Sequence, residues 1–247
     1  NKMFRFGYFP EMKEFTTEQL EKMHIWGKKK NDAEIQIVWA GRFIPLKHPE
    51  FAVKLAENLK KQGYRFHIHM VGGGELEGEL KQNVKRKDLQ KEITFYGFLK
   101  PEQVRKIMEK SHIHLFTSNY LEGWGAVVNE GMNSGCVEVA NAEVGAAPFL
   151  IQHGKNGLVY KDGSYEDMEK QVVYLLEHPK EAFQMGQAAY KSIEEQWNAG
   201  EAADRLMKFY EDWKKGSIEL PKEGPFSAAP VIAPKKMYEY MMADNKN

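Results

Sequence analysis

From Ile35 onward two kinds of apolar patterning alternate along the chain. Short runs rich in β-branched and aromatic residues are each followed by a segment in which apolar residues recur every three or four positions. The run Ile35–Ala40 ends at Gly41; Phe51, Leu55 and Leu59 then stand one turn apart behind Pro49, which suits a first helical position, and Gly63 supplies a stop. Phe66–Val71 reads as a second strand, closed by Gly72, Gly73 and Gly74, with a helix over 75–87. A third strand over 93–96 precedes a helix over 101–110 that carries Val104, Ile107 and Met108 on one face. Ile113–Phe116 is the fourth strand, with its helix over 126–133; 137–140 is the fifth and Gly157–Tyr160 a short sixth. Helices over 165–176, 180–197 and 201–214 close the pattern.

Strand alternating with helix at this pace predicts an α/β domain over 34–214: three layers, with a six-stranded, mostly parallel sheet between helices. Ligands of such sheets sit at the carboxyl ends of the strands. The segments that follow strands, at Gly41 and Arg42, Gly72 to Gly74, Gly97, and 118–125, are therefore expected to converge on one edge. Residues 1–33 are mixed: 4–10 reads as extended, 17–27 as a short helix and 28–32 as a solvated connection. The arm over 215–247 holds Pro221, Pro225, Pro230 and Pro234 and ends in a short apolar helix over 237–242 that docks elsewhere.

Charge narrows the functional classes. The 35 basic residues balance 35 acidic ones, which argues against a nucleic-acid partner held by general electrostatics. The lone cysteine, Cys136, excludes an internal disulfide and a cysteine-type zinc cluster, and points to a reducing, cytoplasmic compartment. No run approaches the ~18 apolar residues of a membrane span, and no secretory signal pattern is present. The first residue is Asn1, so the chain reads as a piece of something longer.

The chemistry concentrates between Thr117 and Gly135. Gly123 and Gly125 keep Glu122 in a loop, while Glu130 lies about one turn into the following helix and leans back toward its start. Both carboxylates thus face one pocket near a helix N-terminus, whose amides and partial positive charge suit phosphate. Carboxylates repel phosphate but accept hydroxyl donors. A ligand with phosphate at its centre and diols at both ends, a sugar nucleotide, satisfies the arrangement. Arg42 and Lys47, just after the first strand, supply the counter-charge.

The ordered set resembles the C-terminal, donor-binding, Rossmann-like half of a GT-B glycosyltransferase of family 4. It comprises Gly41-Arg42 with Lys47, Val71 to Gly74, Phe95 to Gly97, Glu122 and Glu130 spaced as Glu-x7-Glu, and Gly154 to Leu158, with Trp197 in a late helix. The resemblance spans about 35–214 and is most like bacterial enzymes of capsule or exopolysaccharide synthesis. It implies a retaining hexosyl transfer from a nucleoside-diphosphate sugar to a glycan or lipid-linked acceptor, with no metal and no other cofactor. The acceptor would bind through an N-terminal domain that this chain lacks, with 1–33 as the hinge toward it. Membrane contact would be at most peripheral, at the inner face. By the same resemblance Arg42 and Lys47 hold the diphosphate and Glu130 the ribose. Glu122, with the loop Gly123, Trp124 and Gly125, holds the transferred sugar, and Phe98 and Leu99 lie along the base. Glu122, Arg42 and Lys47 form the catalytic set, and Gly41 and Gly73 belong to the cradle.

Some positions depart from the family pattern: Gly131 stands where alanine is frequent, and Phe149 where a glutamate is frequent, which removes a donor-facing carboxylate. Gly72 to Gly74 read equally as a tight turn, and Trp124 as a packed loop anchor before a sugar-stacking ring. His67 and His69 share a strand face without a third ligand; neither they nor His112, His114 and Cys136 are assigned chemistry. The alternative is a nucleotide-sugar binding module with no transfer activity of its own.

Overall fold

The computed structural model describes residues 3–27, 31–233 and 236–244. Six strands form one sheet in the order β3-β2-β1-β4-β5-β6, and every pairing is parallel. They are β1 Ile35–Ala40, β2 Phe66–Val71, β3 Ile93–Gly97, β4 Ile113–Phe116, β5 Val137–Asn141 and β6 Gly157–Tyr160. Helices α2 Glu50–Lys61, α3 Glu77–Arg86, α4 Pro101–Met108, α5 Val127–Asn133, α7 Tyr165–Glu177 and α8 Pro179–Glu195 pack around them. α1 Thr17–Met23 precedes the sheet; α9 Ala199–Lys214 and α10 Met237–Asp244 follow it.

Period-two alternation within the strands decides the layers. Ile37, Trp39, Ile68, Met70, Leu115 and Val139 point to one face, where they meet Leu55 and Leu59 of α2, Leu80 of α3, and Met168 and Val172 of α7. On the other face Val38 and Val71 meet Met108 and Cys136, and Phe116, Ala140 and Val159 meet Val128 and Met132 of α5 and Ile193 of α8. Each fully buried Ile or Leu contributes about 1.5–3 kcal/mol over its exposed state. Capping marks the helix starts: Ser164 accepts from the Asp167 amide at α7 and Asn198 from the Glu201 amide at α9.

Several boundaries differ from the sequence expectation. Pro49 is the residue before α2, not its first. α8 stops at Glu195, so Trp197 lies beyond the helix, buried. A 3-10 turn over Pro45–Lys47 and a one-turn helix, α6 Ala147–Leu150, escaped the periodicity because both are shorter than one hydrophobic repeat. Of the expected connection over 28–32, Lys28, Lys29 and Lys30 lie outside the described residues. Asn31 turns with φ 64° and is tied to Arg65 and Gly63.

The two ends of the chain run together. Phe4 bridges Ala228 antiparallel, and the Arg5 amide donates to the Ser227 carbonyl at 2.8 Å. α10 docks on the α5/α8 face, burying Met241, and its first amide donates to Glu143. No helix among the described residues is long and apolar enough to cross a membrane.

Candidate functional site

In this strand order the sense in which strands are added reverses between β1 and β4, and the crevice outside their carboxyl ends is where open α/β sheets bind ligands. Arg42, Lys47 and Glu122 come from the loops that leave those two strands, and Glu130 from the first turn of α5 just beyond. The expected convergence of the strand-end loops is present. Gly41 N donates to Val71 O at 3.0 Å, Phe43 N to Gly73 O at 2.9 Å, Gly72 N to Gly97 O at 2.9 Å, and Asn119 N to Leu46 O at 3.0 Å.

One threonine fastens the β1 and β4 loops together. The Trp39 indole N–H donates to Thr117 Oγ1 at 2.7 Å, and that hydroxyl donates to the Lys47 carbonyl at 2.5 Å. Above it the Lys47 ammonium is ion-paired with Glu122 Oε2, both side chains being only 15% exposed. The sequence placed Lys47 on phosphate and Glu122 on sugar as separate groups; the fold makes them partners. A pair this enclosed gains more than an open surface pair, because solvent screens it less. Arg42 is exposed, with no side-chain hydrogen bond or ion pair among the described residues.

The glycine loop is held from several sides. Trp124 donates its indole N–H to Asn129 Oδ1 at 2.8 Å and packs against Tyr8, Phe149 and Trp197. Its ring is packed as a loop anchor. Ala146 N donates to Trp124 O at 2.9 Å, and a Cβ on Gly145 would stand 1.9 Å from the Gly123 carbonyl, so only glycine admits this approach. Phe149, in place of the frequent carboxylate, completes the aromatic wall with Trp197.

At the opposite end, Gly73 is buried and the Phe98 ring lies over it, 2.8 Å from where a Cβ would be. Phe98 itself is 78% exposed. Leu99 is partly buried on the face that carries Val38 and Met108. The carbonyl of Glu130 accepts from Arg105 at 3.0 Å and from the Ser134 hydroxyl at 2.8 Å.

Sequence reasoning missed Thr117, Arg105 and Asn133. Arg105 bonds Asn133 Oδ1, which also accepts from the Lys13 amide at 2.8 Å, so α5 is braced by α4 and by the N-terminal segment. Only the first had a signal: a strand tryptophan buries an N–H that needs an acceptor. His67 and His69 face Thr94, Tyr96 and Gln36. Cys136 is enclosed, its thiol directed at the Met108 and Ser111 carbonyls, and burial pushes that thiol up. A cavity of about 780 Å³ lies elsewhere, lined by Arg5, Phe149, Trp197, Glu223 and Tyr240 among others.

The sequence profile of the family described as Glycosyl transferases group 1 matches residues 21–192. The chain is 24% identical over 182 residues to the amylovoran biosynthesis glycosyltransferase AmsK of Erwinia amylovora, covering 72% of this chain and 44% of that protein. It is 28% identical over 143 residues to the N-acetyl-alpha-D-glucosaminyl L-malate synthase of Bacillus anthracis, covering 58% of this chain and 36% of that protein. The chain thus spans less than half of either relative. Among solved structures, the C-terminal domain of the group 1 glycosyl transferase LpcC from Francisella tularensis superposes with a TM-score of 0.63 at 22% identity, covering 76% of this chain and 95% of that one. HepE from Anabaena, in complex with UDP-glucose, gives 0.65 at 17% identity, covering 85% and 57%. The shared architecture is the Rossmann-like C-terminal domain of GT-B proteins, and with the profile matching well over half of its residues the chain belongs to the glycosyl transferases group 1 family.

Proposed function

We propose that this chain is the donor-binding half of a retaining glycosyltransferase. The whole enzyme would move a hexosyl group from a nucleoside-diphosphate sugar to a glycan or lipid-linked acceptor in bacterial surface polysaccharide synthesis. The observation that carries the reading is the meeting of Arg42, Lys47 and Glu122 at the β1/β4 crevice, with Glu130 opening the next helix. Free Arg42 takes diphosphate oxygens bidentately. On donor entry, phosphate replaces Glu122 as the partner of Lys47, and sugar hydroxyls replace the ammonium as the partners of Glu122. Two cations then face the charge that grows on the departing diphosphate. Glu130 accepts the ribose hydroxyls, and Phe98 with Leu99 lies along the base. Residues 1–33 serve as the connection to an acceptor-binding domain, and the enzyme works in the cytoplasm, at most peripheral to the inner membrane face.

UDP is the first nucleotide to test, since the Anabaena neighbour was solved with UDP-glucose. Calorimetric titration with a panel of nucleoside diphosphates is the direct experiment, and binding to none of them sinks the reading. A second reading is a sugar-nucleotide binding module without transfer of its own. Robust transfer or donor hydrolysis by the isolated chain would defeat that alternative.

A further inference from the structure

Beneath α5, in the middle of the sheet, two ionisable side chains face each other in direct hydrogen-bond contact. His114 of β4 and Glu138 of β5 are register partners, both fully buried, and His114 Nδ1 lies 2.9 and 2.8 Å from the two Glu138 oxygens. Burial holds the Glu138 carboxyl above its ordinary value, and the imidazole contact offsets that only in part. His114 Nε2 has no hydrogen-bond partner among the described residues. A strand core filled by Ile113, Leu115, Val137 and Val139 could have carried two more aliphatic residues at far lower desolvation cost. Neither residue belongs to the donor site described above.

What the pair touches is the backbone of α5. A Cβ added at Gly131 would sit 2.1 Å from Glu138 Oε1 and 2.9 Å from His114 Nδ1. The Gly131 Cα therefore rests directly on the pair, which accounts for glycine where the family pattern has alanine. The preceding residue is Glu130, whose carbonyl accepts from Arg105 of the neighbouring helix α4 at 3.0 Å. The α5 backbone is thus held at Glu130 by a cation of α4 and at Gly131 by the carboxylate–imidazole pair of the sheet.

We propose that the buried His114–Glu138 pair is a positioning device: it is the floor that sets the height of α5 over the sheet, and through Gly131 it places the Glu130 carboxylate against the nucleotide ribose. This rests on the donor-binding reading of Glu130. Neither residue touches the ligand; both act through the helix.

The test compares UDP, which has a ribose, with inorganic diphosphate, which has none, by calorimetry on the full chain. Gly131→Ala lifts α5 off the pair and is expected to weaken UDP at least ~10-fold and inorganic diphosphate less than ~3-fold. Adding Glu138→Ala clears the space for the new Cβ and is expected to bring UDP back within ~3-fold of the unaltered chain. A purely structural role would move the melting temperature without changing the ratio of the two affinities. Equal loss for both ligands, or no recovery in the double variant, overturns the proposal and leaves the donor reading intact. If the unaltered chain binds neither ligand, the donor reading falls and takes this one with it. Should Gly131→Ala fail to fold, Glu138→Asp lowers the floor without a clash. It is expected to weaken UDP about 5-fold with diphosphate unchanged, and an unchanged UDP affinity overturns the proposal.

Discussion

The two ends of the candidate cleft are built in opposite ways. At the Glu122 end the glycine loop is clamped: Trp124 is bonded to Asn129, packed edge-on or tilted among Tyr8, Phe149 and Trp197, and backed by the close approach of Gly145. At the Arg42 and Phe98 end the side chains stand in solvent over a buried turn at Gly73. In the proposed assignment the clamped end holds the reacting sugar and the open end the phosphate and base. The contrast teaches a division of labour. Groups that must hold a carbon in attacking geometry are preorganised by packing, and Lys47 shares that enclosure through its pair with Glu122, while Arg42 is left free to reach for a mobile, highly charged ligand. The clamp is itself composite, because segment 3–27 lies along α5 and reaches the loop at Gly7 and Tyr8.

Breaking the clamp has the largest expected effect. Trp197→Ala empties a fully enclosed site beside Phe9, Trp124 and Phe149 and is expected to cost ~3–5 kcal/mol in urea unfolding. A loss below ~1 kcal/mol would show that the aromatic wall is not what holds the loop.

Acid attacks the same side of the molecule at its far anchor. His24 and His112 are both lowered to about 4, by burial first and, for His24, also by its neighbour His112. In the fold His112 takes the Gln36 amide on Nδ1 and donates Nε2–H to the Ile25 carbonyl, a role open only to the neutral ring. The unfolded chain therefore binds more protons between pH 6.5 and about 4, and stability is complete above that window and lost as pH falls through it. The loss is at most about 3 kcal/mol per ring. Denaturant midpoints from pH 7.5 to 4.5, with Trp26 emission as a reporter of the seam, should fall. A flat profile would contradict the neutral-imidazole assignment.

At the open end, binding should change without stability. Arg42→Ala is expected to weaken UDP and inorganic diphosphate alike, by ~10–100-fold, with unfolding within ~0.5 kcal/mol of the unaltered chain. Glu130→Ala should weaken UDP ~10-fold while leaving diphosphate nearly unchanged; equal loss for both would contradict the diol assignment. Phe98→Ala should have the smallest effect, a few-fold on UDP and under ~0.5 kcal/mol on folding. A large stability loss there would erase the distinction between the two ends.

Much of this was legible in the residues. Short runs of four to six residues, largely apolar and separated by helical repeats, read as buried parallel strands, so the layers and the candidate edge followed from period and chain order. The spacing of Glu122 and Glu130 across a glycine loop likewise showed which elements carry the candidate chemistry. Local patterning does not encode pairings between residues distant in sequence. The Lys47–Glu122 ion pair, the Trp39–Thr117–Lys47 latch and the Arg105 brace join positions separated by 75, 78, 70 and 25 residues, and each exists because neighbouring strands or helices bring their ends together. His114 and Glu138 read as unremarkable polar interruptions in two apolar strands until parallel register set them face to face under Gly131. The sequence by itself determined the sheet, the edge where a ligand is proposed and the residue types there. Which charges are paired, which ring is an anchor and what α5 rests on were decided only by the tertiary structure, since burial and contact depend on register and packing rather than on the order of residues.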